Sequence, residues 1–309
     1  MSRPLFVKPS LLQRGILSAA VLYGSSFLGV SYYAKHTFLL DYYKKYIELQ
    51  GKDGPIKPSE KLQSMFIDVS KEAKEFVSDL SVITPFVVPG LRIVHGGTYG
   101  TFQGGVVGLP AYFEFNTKED VKSNVMVDGA QDFEEDELCN LFLLSDEAKK
   151  YVIAREILLI NTMQVYFKTG LPILVAYSIE MISKMISGHL KLANYPVPVR
   201  AAFYVVVITV GLLVWNFLNT ALKQYYEAGA ESIICKLGIS YLNGGIEFYS
   251  KELKRNQLQV ELKNQTSSML KTIDNFMFSI LSFNEIPVLR RIAYLKAHLE
   301  LESKKYVTE

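Results

Sequence analysis

The sequence predicts a mostly helical α+β membrane protein, in which a folded portion with a small sheet is interrupted by a transmembrane helical hairpin. Three observations carry this reading. Residues 201–222, AAFYVVVITVGLLVWNFLNTAL, contain no charged side chain and are long enough to cross about 30 Å of hydrocarbon as a helix. Residues 82–115 are rich in Val, Ile, Phe, Tyr and Gly, with turn signals at Pro89-Gly90 and Gly96-Gly97, the pattern of short strands. Hydrophobic residues make up 49% of the 309 and charged residues 21%, a balance that suits a membrane protein carrying a sizeable folded part.

From the N-terminus, Arg3, Lys8 and Arg14 are unopposed, and the first acidic residue is Asp41. A basic, Ser-containing, acid-poor beginning resembles a mitochondrial targeting signal. Residues 15–34, GILSAAVLYGSSFLGVSYYA, are uncharged and read as a retained membrane anchor, with a cleaved signal peptide as the alternative. Similar numbers of Lys and Arg flank that segment, so the positive-inside rule does not choose its orientation. Residues 59–80 place Leu62, Met65, Phe66, Val69, Ala73 and Phe76 on one side at helical spacing. Residues 116–140 form an acidic, polar insertion ending in Asp132-Phe133-Glu134-Glu135-Asp136-Glu137, read as a solvated loop.

The next helix opens near Ser145, which can cap it, with Asp146 and Glu147 placed at the positive end of the dipole. A second membrane segment, 169–187, is weaker because it contains Glu180 and Lys184, spaced to pair along one helix face. The connector at 188–200 is short, so 169–222 reads as a hairpin, and the chain on either side of it must return to one face of the membrane. Residues 223–300 read as helices broken at Asn243-Gly244-Gly245 and at Pro287. The resulting organisation is 1–40 targeting segment and anchor, 41–168 first part of the folded domain, 169–222 hairpin, and 223–309 second part.

Several function classes are set aside by composition. A net charge of +2 and the lack of a Lys/Arg stripe interleaved with aromatics argue against nucleic acid. Cys139 and Cys235 belong to no metal or disulfide motif. His36, His95, His189 and His298 are scattered, with no pair at ligand spacing, and read as solvated or structural. Gly104, Gly105 and Gly108 are not followed by the Gly-Lys-Ser/Thr of a phosphate loop. No cofactor or metal is expected.

The helix at 144–160, LSDEAKKYVIAREILLI, has the register of a zinc-peptidase H-E-x-x-H helix, in which two imidazoles at i and i+4 bind metal and the Glu acts as base. Here Arg155 and Leu159 occupy the ligand positions, and Glu156 keeps the place of the base. GGVVGLP at 104–110 precedes this helix; YYEAGAESIICKLG at 225–238, GGIEFYSKEL at 244–253 and IPVLRRIAYL at 286–295 follow the hairpin. In this order the segments resemble membrane-linked gluzincin peptidases of the CAAX-prenyl-protease and HtpX type. The resemblance implies a zincin-like, pseudo-peptidase domain, with Tyr225 at the third ligand position and Gly229 at the supporting acid. It also implies a substrate-binding edge strand at Gly104, Gly105, Val106, Val107 and Gly108, usable by a silent relative to hold a client segment through strand addition. Without a metal-activated water, Glu156 has no nucleophile to deprotonate. Arg155 is open to two readings: a guanidinium neutralising Glu156 or Glu227, or an ordinary surface Arg-Glu helix.

GGVVGLPAYF at 104–113, LSDEAKKYVIAREI at 144–157, VRAAF at 199–203 and GGIEFYSKEL at 244–253 also resemble, in order, the transmembrane protein 177 family of the mitochondrial inner membrane. That resemblance implies a non-enzymatic assembly factor for early maturation of cytochrome c oxidase subunit 2, associating with the subunit and its small membrane chaperone. The alternatives are a divergent membrane-bound metallopeptidase and, from Glu180 and Lys184, an ion or small-molecule carrier.

Overall fold

A computed structural model describes residues 11–52, 54–77, 83–124, 135–266 and 287–308. The chain divides into two compact units, Met1–His36 with Met163–Lys223, and Thr37–Thr162 with Gln224–Glu309. In order, the elements are helices α1 (Leu11–His36) and α2 (Leu40–Ile47), strands β1 (Gln50–Gly51) and β2 (Gly54–Pro55), and helix α3 (Glu60–Ala73). Strands β3 (Ile83–Val88), β4 (Val94–Gly97) and β5 (Gly105–Pro110) follow, then helices α4 (Lys118–Asn124), α5 (Glu135–Phe142), α6 (Asp146–Ile160) and α7 (Gln164–His189). The chain closes with α8 (Val197–Ile234), α9 (Ile239–Thr266) and α10 (Val288–Thr308). Arg3, Lys8 and the acidic residues Asp132 and Glu134 lie outside the described residues.

In the first unit α1 packs along α7, and Gly29 makes the approach close: a Cβ there would collide with the Thr169 carbonyl. α7 and α8 are both long and apolar enough to cross a membrane, and little of either apolar window is covered by the rest of the chain. At about 1.5 Å per residue, helices of 26 and 38 residues exceed the thickness of the hydrocarbon layer. Gly211 of α8 accepts the Ile179 side chain of α7 at 3.3 Å from where its Cβ would stand. Glu180 and Lys184 do pair, at 2.7 Å, with the Lys side chain largely exposed. Only the first part of α8, to Lys223, belongs to this unit; its last turns belong to the second.

The second unit is built around α6. Ala148, Tyr151, Val152, Ile153, Ala154 and Ile157 are fully buried on all sides of that helix, so it has no polar face and behaves as a core helix. Ser145 caps it, its hydroxyl accepting from the Ala148 N–H at 3.1 Å, while its own N–H donates to Glu247 of α9. α3 packs against α6 through Leu62, Met65, Phe66, Val69 and Ala73, the apolar face expected from spacing; Phe76 lies beyond the helix end and is exposed. The sheet has strand order β3-β5-β4, with β3 parallel and β4 antiparallel to β5. Gly105 lets Ile160 of α6 rest on β5, and Gly108 is enclosed by the side chains of Phe86, Val88 and Val94.

Four expectations are corrected here. The strand at 105–110 is central, its backbone paired on both sides, and so offers no edge for a client; the 104–108 segment lies inside the sheet because its small residues admit neighbours closely. Gly96-Gly97 is not a turn but the end of β4, where Gly97 adopts φ 104°, and the connection follows at 98–104. The insertion at 116–140 includes helices α4 and α5 and buries Val121 and Cys139, since its few apolar residues still find the core. Asn243-Gly244-Gly245 does not break the C-terminal helix. α9 runs through it, because these glycines are where α6 and α10 come closest: Gly244 lies against the backbone of Glu147 and Ala148, and Gly245 against Tyr151 and Leu295.

Gly244→Ala therefore forces α9 away from α6. Overpacking of this kind costs about 1–3 kcal/mol, and backbone contact puts this site at the upper end. Thermal melting in detergent should show a clear loss of stability, whereas Gly229→Ala, where nothing lies within reach of a Cβ in a helix interior, should melt no lower than the parent and by propensity slightly higher.

Candidate functional site

Inside the second unit, five elements deliver charged or hydroxyl-bearing side chains to one buried cluster. α6 contributes Tyr151, Arg155 and Glu156, the last turns of α8 contribute Glu227 and Glu231, α9 contributes Tyr249, α10 contributes Arg291, and β4 contributes His95 at the margin. Glu156, Glu227, Glu231 and Arg291 are each at most 4% exposed. Carboxylates so deeply placed need compensating charge and hydrogen bonds.

They have both. Arg291 donates through Nη1 to Glu231 Oε1 at 2.6 Å and to the Tyr249 hydroxyl at 2.8 Å, and through Nη2 to Glu227 Oε2. Arg155 donates through Nη2 to the other oxygen of Glu227 at 3.3 Å and places Nη1 3.7 Å from Glu156 Oε1. The Tyr249 hydroxyl donates to Glu231 at 2.7 Å and stands 3.4 Å from the Tyr151 hydroxyl. Glu156 Oε2 accepts from His95 Nδ1 at 2.6 Å. Glu227 is thus bridged by two guanidinium groups, and its two oxygens tie α6 to α10 through α8.

The electrostatics follow from the geometry. Burial alone pushes the Glu156 carboxyl up, but the Arg155 charge and the His95 hydrogen bond outweigh it and hold the carboxyl below its ordinary range. Burial also disfavours the Arg155 charge, which the oxygens of Tyr249, Glu156 and Glu227 more than restore. Burial raises the Tyr249 hydroxyl above its ordinary value, so it remains a donor. Among the described residues, no three His, Cys, Asp or Glu side chains converge so as to hold a metal ion.

Of the residues singled out by the H-E-x-x-H register, Arg155 and Glu156 enter the cluster, and Leu159 packs in the apolar core. Tyr225 does not belong: it is 73% exposed, and Gly229 has nothing beside it. The pair that α8 turns inward is Glu227 and Glu231, two residues further on, because the helix presents that i, i+4 face to Arg291. Their spacing was itself a signal, since two carboxylates at i and i+4 repel on a helix unless cations face them. His95, read from the sequence as solvated or structural, bonds Glu156 at the margin of the cluster, and Tyr249 and Arg291 lay unremarked within the segments at 244–253 and 286–295.

The fold and the cluster define a membrane-associated helical protein with two candidate spans and an internally ion-paired domain. The sequence matches the family described as Transmembrane protein 177 over residues 89–296, which includes every member of the cluster. It is 28% identical to Transmembrane protein 177 of Rattus norvegicus over 67% of each chain. It is 27% identical to that of Homo sapiens over 83% of each, and 25% identical to that of Xenopus laevis over 79% of this chain and 80% of the relative. No solved structure matches. The chain belongs to the transmembrane protein 177 family.

Two outcomes follow. Arg155→Ala leaves Glu156 and Glu227 without their shared cation, and removing one partner of a buried pair costs about 3–5 kcal/mol; melting in detergent should show it, and an unchanged midpoint would discard the pairing. Because the folded-state pKa of Glu156 is depressed, its contribution is complete above the unfolded value, about 4.3, and is lost as the pH falls through the folded value. Melting midpoints should hold steady near neutrality and drop on acidification, with a shallower acid slope in Glu156→Gln.

Proposed function

We propose that this protein is a non-enzymatic assembly factor of the mitochondrial inner membrane, acting in early maturation of cytochrome c oxidase subunit 2 together with that subunit's small membrane chaperone. Family membership supports the membrane setting, and the basic, acid-poor beginning with Arg3, Lys8 and Arg14 supports the organelle. The subunit and chaperone rest on the family resemblance of the segments at 104–113, 144–157, 199–203 and 244–253.

The observation that carries the non-enzymatic reading is the state of Glu156. A general base needs a lone pair free to take a proton from substrate or water. In Glu156 one oxygen is committed to His95 and the other faces Arg155, and its proton affinity is lowered. We read the second unit as zincin-like, with the Arg155 guanidinium standing where such a fold places its metal. In support, a core helix carrying Arg155-Glu156 lies under a small sheet with an antiparallel edge strand, and Glu227 arrives from the last turns of α8, the second helix of the hairpin.

The test uses the full chain, tagged, in mitochondria lacking the endogenous protein. Newly synthesised subunit 2 should co-purify with it, and Glu156→Gln, shown to be folded, should retain both the association and the steady-state level of subunit 2. Failure of subunit 2 to co-purify removes the client assignment. Loss of subunit 2 support by a folded Glu156→Gln variant that still binds it, or stoichiometric zinc in the purified protein, restores the peptidase reading.

A further inference from the structure

The boundary between apolar and aqueous surroundings is marked on the first unit. At the end of α1 and the start of α7, Tyr33 and Tyr166 lie with ring centroids 5.9 Å apart, Lys168 stands 5.9 Å over the Tyr32 ring, and Tyr32 packs on His36 at 4.7 Å. Tyrosines and cations gathered at the ends of apolar helices are characteristic of the headgroup level of a bilayer.

Residues 37–39 alone separate α1 from α2, so at about 3.8 Å per residue α2 must begin within about 15 Å of that boundary. One side of α2 is committed to the protein: Leu40 is buried and Ile47 packs with it against Phe86, Val88 and Val106, while Tyr43 lies beside Gly96 of β4. The other side carries Leu39, Tyr42 and Tyr46, at i, i+3 and i+7, exposed by 48%, 72% and 89%, with exposed Phe38 just before them. Lys45 flanks this face.

We propose that the outer face of α2 rests in the headgroup region of the bilayer. Continuity with the membrane helices selects a lipid surface over a protein partner. α2 follows the apolar helix α1 directly, after three residues. The chemistry agrees: tyrosines with an apolar ring and a polar tip, a Lys at the edge, and an opposite face already filled by the sheet are the parts of an in-plane interfacial helix. This contact is independent of any client and of the cluster around Glu227.

The experiment uses the full chain in phosphatidylcholine nanodiscs. Its single tryptophan, Trp215, is replaced by Phe, and Tyr46→Trp or, separately, Tyr42→Trp is introduced as the probe. Ile67→Trp, on the exposed side of α3, serves as the reference. With brominated acyl chains the α2 probes should lose about half of their emission and resist aqueous iodide, as expected for side chains buried some 5–10 Å into the interface; the reference should respond to iodide alone. Having two probe positions keeps the test open if one variant does not fold, as its melting curve will tell. Iodide quenching equal to the reference, without bromolipid quenching, overturns the proposal. So does protection that arises only when another protein or a second copy of the chain is added.

Discussion

Glu156, Glu227 and Glu231 lie together in a space that water does not reach, and the folded unit can close only where guanidinium groups meet them. Arg155 and Arg291 do so from two helices that are far apart in sequence, and they share Glu227 between them. The central helix, the inner end of the membrane helix and the C-terminal helix are therefore held by charge as well as by apolar contact. A hydrophobic core of similar volume would tolerate small slippage between helices. A bridged carboxylate does not, because each of its hydrogen bonds has a direction.

That requirement explains features that look unrelated. Beyond its opening residues α6 is apolar except where it presents Arg155 and Glu156, and it lies in the middle of the unit with α3, α9 and the sheet around it. α9 must come close enough for Tyr249 to reach Glu231 and Arg291, and glycines at 244 and 245 provide the clearance. The same cluster that stabilises the unit removes the freedom a catalytic carboxylate would need.

α8 gives the arrangement its second consequence. One continuous helix carries an apolar span and then the pair Glu227 and Glu231. Because the candidate span ends only a few residues before the ion pairs, it shares a single helix with two members of the charge cluster.

What the sequence determined by itself was local. The uncharged run at 201–222, the Ser145 cap and the apolar stripe of α3 need only neighbours within a few turns, and each appears as a helical feature where it was read, except that Phe76 falls beyond the end of α3. The register of Arg155 and Glu156 was legible for the same reason, as was the pairing of Glu180 with Lys184. The order of the strands was not, because which strand lies in the middle depends on pairings across the sheet that spacing does not encode. Nor was the role of Gly244 and Gly245: a glycine pair reads as a break until a second helix is seen to need the space. Nor did the sequence show that Glu227, and not the exposed Tyr225 two residues before it, faces the cluster, since only the facing Arg291 decides which side of α8 turns inward. The chain wrote its helices and spans in its own periodicity; which charges would meet was decided by tertiary structure, because a buried ion pair is a property of two segments and neither one specifies it alone.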